Sequence, residues 1–157
     1  MRCFPMVLAL LAAPVFSSHL LAADDQPPDF TGTWQLDTAK SPGADLQAVT
    51  LTIADDSGKI NFTRVARERD GKEITSRFTC EATGATCGFD EGGHKAKVSV
   101  WFNGSSLVVL KTDGPKEDSV TQWKLQLSPD KATMKVEFSH IEPSEKSESL
   151  VFDKKAS

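Results

Sequence analysis

Apolar and polar residues alternate along most of this chain with a period of two, the spacing that puts successive side chains on opposite faces of a β-strand. The cleanest run is Leu46 to Ala54, where Val49, Leu51 and Ile53 share one face and Thr50 and Thr52 the other. Lys59 to Glu68 carries Ile60, Phe62, Arg64 and Ala66 in one phase, and Lys72 to Cys80 carries Ile74, Ser76, Phe78 and Cys80. Strands are also predicted at Thr31 to Asp37, as a short piece near Phe89, and from Lys95 to Phe102, with Ala96, Val98, Val100 and Phe102 on one face and Trp101 opposite. Leu107 to Leu110 is apolar on both faces. Val120 to Leu127 places Trp123, Leu125 and Leu127 together, Thr133 to His140 places Met134, Val136, Phe138 and His140 together, and a last strand covers about 148 to 153.

Turn chemistry separates these runs. Ser57-Gly58, Asp70-Gly71, Asn103-Gly104, Gly114-Pro115 and Ser128 to Lys131 all read as turns, and Asp90 to Gly93 as a mobile loop. No stretch of apolar residues at helical spacing after residue 23 is long enough to make a dependable helix. A meander of sequential hairpins leaves two raw edges unless it closes on itself. The predicted fold is therefore all-β, an antiparallel up-and-down β-barrel of about nine to ten strands.

Before the strands, residues 1–23 have the layout of a signal peptide: Arg2, an apolar stretch from Phe4 to Phe16, and small residues ahead of Asp24-Asp25. Pro5 and Pro14 interrupt the apolar stretch, which falls short of the roughly 20 residues of a membrane span. Cys3 lies inside the signal, so a lipid anchor at the new N-terminus is not expected. The expected product is soluble, secreted or periplasmic, and monomeric. Residues 24–29, with Pro27-Pro28, form a flexible arm, and residues 30–155 form one barrel domain.

The formal charge is −4, with both signs interspersed, and tyrosine is absent. There is no basic block and no set of stacking platforms, which speaks against nucleic acid as a partner. Two cysteines remain after the signal, Cys80 and Cys87, separated by Glu81 to Thr86. In an exported chain a disulfide across a tight hairpin is the preferred reading. Metal binding would need further ligands, and no CxxC or histidine pair supplies them.

Phe30-Thr31-Gly32-Thr33-Trp34-Gln35-Leu36, followed by a meander and by Leu150-Val151-Phe152-Asp153-Lys154, resembles the calycin pattern of lipocalins and fatty-acid-binding proteins. It is more similar still to small exported bacterial lipocalin-like proteins that open on Phe-x-Gly-Thr-Trp. The resemblance covers about residues 29 to 155. It implies a barrel-closing motif of Phe30, Gly32 and Trp34, with the glycine letting the first strand bend and the indole plugging one end. Two departures matter. Ser41 to Asp45 is too short for the helical lid of the fatty-acid-binding proteins, and the arginine-and-tyrosine set that holds a carboxylate there has no counterpart in a chain without tyrosine.

Among candidate chemistry, Arg64 stands out, because it follows Ile60 and Phe62 in phase and would point a guanidinium into an apolar barrel, ready to clamp a carboxylate or phosphate. The plainer reading has the strand twist after Phe62 and leave Arg64 at the rim. Ser76 and Gln122 are candidates to join it. His140 lines the cavity's far end or is a solvated strand end. His94 sits near Asp90 and Glu91, but the glycines between fix no ligand geometry, so no metal is expected. Trp101 and Trp123 read as packing residues. Neither a cofactor motif nor a nucleophile-base set is present.

The sequence thus predicts a non-catalytic exported barrel that binds a small hydrophobic or amphipathic molecule inside. The alternative is a filled barrel that acts as an envelope or protein-interaction module, favoured by bulky interior residues such as Phe62, Phe78, Phe102, Phe138 and Phe152. An enzyme built inside the barrel ranks third.

Overall fold

A computed structural model describes residues 26–42, 46–114 and 118–156. The expected signal segment 1–23 and the first two residues of the arm lie outside the described residues. Ten antiparallel strands follow one another: β1 (Gly32–Leu36), β2 (Leu46–Asp56), β3 (Lys59–Glu68), β4 (Glu73–Glu81), β5 (Thr83–Glu91), β6 (His94–Asn103), β7 (Ser106–Asp113), β8 (Ser119–Leu127), β9 (Thr133–Glu142) and β10 (Lys146–Lys154). Each pairs with the next, and β1 also pairs with β10, Trp34 opposite Lys154 and Leu36 opposite Phe152, so the meander closes into a barrel. Closure gives every strand two neighbours and removes the raw edges. No helix occurs among the described residues, and none there is long and apolar enough to cross a membrane.

Alternation decides which side chains fill the interior. Val49, Leu51 and Ile53 of β2, Ile60, Phe62 and Ala66 of β3, Phe78 and Cys80 of β4, and Val98 and Val100 of β6 all belong to one buried cluster. The two-sided apolar run resolves in β7: Leu107 and Val109 join that cluster, which sets Lys111, two residues on, to the same side.

Three elements are longer than the alternation suggests. β5 is a full strand of nine residues, not a short piece around Phe89, and it runs through Asp90 and Glu91, which read from sequence as a mobile loop. Gly84 and Gly88 weaken its intrinsic strand signal. Pairing with β4 on one side and β6 on the other supplies what propensity does not. β7 extends to Asp113, and β10 starts at Lys146.

The β4–β5 hairpin is locked by a Cys80–Cys87 disulfide, Cα to Cα 5.7 Å. With Phe78 opposite Phe89, the same register carried two residues on puts Cys80 opposite Cys87. Cys80 is 2% exposed and packs in the core. Closing so short a loop should stabilise the protein by roughly 2–3 kcal/mol on the chain-entropy account. Cys80→Ala/Cys87→Ala is therefore expected to lower the unfolding free energy by about that amount, read from the shift in denaturation midpoint. A midpoint matching the parent's would show that strand pairing alone holds the hairpin.

One end of the barrel is shut by the opening motif. Phe30 and Trp34 are buried, and the Trp34 indole Nε1 donates to the Phe30 carbonyl at 3.0 Å. The Lys154 ammonium stands 5.1 Å over the indole ring. Gly32 has φ +147°, a backbone conformation that other residues rarely adopt, so this position favours glycine.

Candidate functional site

The opposite end is where strand ends bring polar side chains inward. A cavity of about 290 Å³ lies there, with an apolar floor that includes Leu125, Val136 and Phe152 and aromatic walls from Phe62, Trp123 and Phe138. Phe62 stacks on Phe78 at 4.9 Å and on Trp123 at 5.6 Å, and Trp123 reaches Phe138 at 6.1 Å. This aromatic row takes up part of the barrel interior and walls the cavity beside it. The bulky residues that suggested a filled barrel therefore fill part of it and wall the remainder.

Two rows of directly opposed residues carry the polar groups. The first crosses three strands, Arg64 on β3, Ser76 on β4 and Glu91 on β5. The second crosses Lys111 on β7, Thr121 on β8 and His140 on β9. Directly opposed residues of an antiparallel pair share a face, so each row points one way, into the barrel. An ion pair between Lys111 Nζ and Glu91 at 2.8 Å ties the rows together. The Ser76 hydroxyl donates to the other Glu91 oxygen at 3.0 Å. Lys111 also lies 3.7 Å from Asp113 and 4.9 Å above the Phe89 ring.

Arg64 and Glu148, the latter on β10, complete the charged lining. Among the described residues neither makes a hydrogen bond or a direct ion pair. Burial lowers the proton affinity of the Arg64 guanidinium, and the charges of Glu91 and Glu148 act against that. For Glu91, burial favours the neutral acid, but the hydrogen bond and charge of Lys111, with Ser76 and Arg64, outweigh it and hold the carboxyl below its usual range.

Of the residues singled out from sequence, Arg64 and His140 line the cavity. Ser76 is fully buried behind it and reaches it through Glu91. Gln122 is not part of the site. Thr121, Trp123 and Leu125 face inward, so the intervening Gln122 falls on the outer side of β8. His140 packs edge-on against Phe138 at 4.8 Å. His94 lies outside the cavity and pairs with Asp113 at 2.8 Å, while Asp90 is bonded by Lys95. Trp101, opposite the inward Val100 and Phe102, is not among the cavity residues.

Glu91, Lys111, Thr121 and Glu148 escaped sequence reasoning. Glu91 shares the phase of Phe89, Lys111 that of Leu107 and Val109, and Glu148 that of Leu150 and Phe152, so extending each alternation by one step would have found them.

No protein-family model matches the sequence, and comparison with curated proteins gives no match. Solved structures do share the fold. A variant of the fluorescent protein UnaG superposes with a TM-score of 0.56 at 18% identity, covering 82% of this chain and 97% of that one. Zebrafish ileal bile acid-binding protein, complexed with cholic acid, gives a TM-score of 0.50 at 18% identity, covering 81% of this chain and 98% of the other. The chain is thus a closed antiparallel ten-stranded barrel that shares its fold with these proteins.

Proposed function

We propose that this protein is a non-catalytic binder that holds one small amphipathic molecule inside its barrel, in an exported setting, as a monomer. The observation that carries this reading is the cavity itself: apolar walls that end in convergent polar groups at one mouth, with the Arg64 guanidinium making no hydrogen bond among the described residues. Its volume of about 290 Å³ sits at the lower edge of the roughly 300–1,000 Å³ range of small-molecule sites. The ligand is correspondingly small, its apolar part against Leu125, Val136 and Phe152 and its polar part at the mouth.

Further support comes from the fold, which is shared with a barrel complexed with a bile acid. The surface offers less to the alternative of an interaction module, because Ile141 is the one large apolar residue well exposed among the described residues. The closest approach to an acid-base set in the cavity is the Glu91–Lys111 pair, whose members are bonded to each other rather than to an activated nucleophile.

Native mass spectrometry of the purified protein tests this. A discrete adduct that is lost on denaturation, or saturable uptake of a fluorescent fatty-acid probe, is the expected result. A bare protein that also ignores the probe would sink the reading.

A further inference from the structure

The cavity's charges balance, and their pairing is uneven. Arg64 and Lys111 face Glu91 and Glu148. Lys111 and Glu91 satisfy one another at 2.8 Å, with Ser76 on the remaining Glu91 oxygen. That leaves one guanidinium and one carboxylate without a hydrogen bond among the described residues. They stand further apart than the 4.0 Å of a direct ion pair, yet Glu148's charge bears on Arg64. Both line the same cavity, so one bound group can meet both.

A purely anionic head group would suit Arg64 and would meet the carboxylates of Glu148 and Glu91. A purely cationic one would suit Glu148 and meet Arg64 and Lys111. Covering either charge without pairing it costs desolvation free energy, so a head group with a single sign leaves the opposite wall unsatisfied. We propose that the ligand is a zwitterionic amphiphile, a short apolar chain whose head group carries one anionic and one cationic centre, the anion on Arg64 and the cation on Glu148. The anion takes the planar fork of the guanidinium, and the chain passes Phe138 and Trp123 to the apolar floor. This assignment rests on interior binding and adds the class of ligand to it.

Isothermal titration calorimetry with three probes that share a decyl chain tests it, all below their micelle concentrations: N-decyl-N,N-dimethylglycine, decanoate and decyltrimethylammonium. On the parent protein the betaine should bind about tenfold more tightly than either singly charged probe, the gain of one charge-assisted contact. Glu148→Gln should erase that preference and improve decanoate. Arg64→Met, which keeps apolar bulk, should weaken both the betaine and decanoate. Neither residue has an internal hydrogen bond among the described residues, so both variants should fold. Should either melt early, the ranking on the parent decides alone. Decanoate or the ammonium probe binding as tightly as the betaine overturns the zwitterion assignment and leaves interior binding standing. If no probe binds, both readings fall together.

Discussion

Trp34→Ala should cost about 3–5 kcal/mol of stability, the usual penalty for truncating a fully buried large aromatic residue. The indole is 0% exposed, and three separate things depend on it. It fills the closed end of the barrel with Phe30, its Nε1 is bonded to the Phe30 carbonyl at 3.0 Å, and its face receives the Lys154 ammonium at 5.1 Å. Alanine empties the space and strands the carbonyl together. Trp34→Phe separates the two contributions, because it keeps most of the apolar area and loses the donor, and should cost only about 1–2 kcal/mol. Urea denaturation followed by far-ultraviolet circular dichroism reads both. A Trp34→Ala unfolding free energy within about 1 kcal/mol of the parent's, on the usual linear extrapolation, would show that this residue does not seal the barrel. Binding offers a second check: the cavity lies at the other end, so a folded Trp34→Phe variant should retain its ligand affinity.

The same two ends explain how much of the molecule was legible in its sequence. At the closed end the signals are local and redundant. Phe30-Thr31-Gly32-Thr33-Trp34, the alternation of β2 and β3 and the Asn103-Gly104 turn all point the same way, and the barrel follows from them. At the open mouth β5 and β7 carry their alternation two residues past Phe89 and Val109, and there the pattern stops announcing itself. Lys111 follows a run apolar on both faces, which hides its direction until β8 and β6 fix the register of β7. Glu91 sits beside Gly92-Gly93, so it read as loop. Arg64 and His140 are legible as inward-facing because apolar neighbours of the same phase precede them directly. Gln122 was misplaced for the converse reason: its chemistry suited a binding site, and its phase, opposite to Trp123, did not. Which charges meet across the mouth depends on β5 and β7 being set one strand apart in a closed barrel, and no short stretch of sequence encodes that.

Lys111→Met should reverse the way stability depends on pH in the acidic range. In the parent, Glu91's carboxyl is held below its usual range, so its contribution is present above the unfolded-state pKa of about 4.3 and is lost as pH falls through the folded value. Removing Lys111 takes away its hydrogen bond and its charge together. Burial, the largest single influence on Glu91, then faces only Ser76 and the more distant Arg64, and the carboxyl should rise above its usual range. A group raised in this way destabilises the fold at neutral pH and stops doing so as acid protonates it. The variant should therefore be less stable than the parent by about 2–3 kcal/mol at pH 7, short of the 3–5 kcal/mol of a fully buried broken pair because the Glu91 side chain is 29% exposed. The gap should narrow steadily toward pH 4. Methionine keeps an unbranched apolar chain over Phe89, so lost packing contributes little. Lys111→Met/Glu91→Gln supplies the control, since a neutral amide at position 91 should recover most of the lost stability and flatten the pH dependence. Denaturant titrations of parent, single and double variants across this range measure the coupling directly. A difference that stays constant with pH would mean that Lys111 supports the mouth through packing alone and that the Glu91 pair does not organise it.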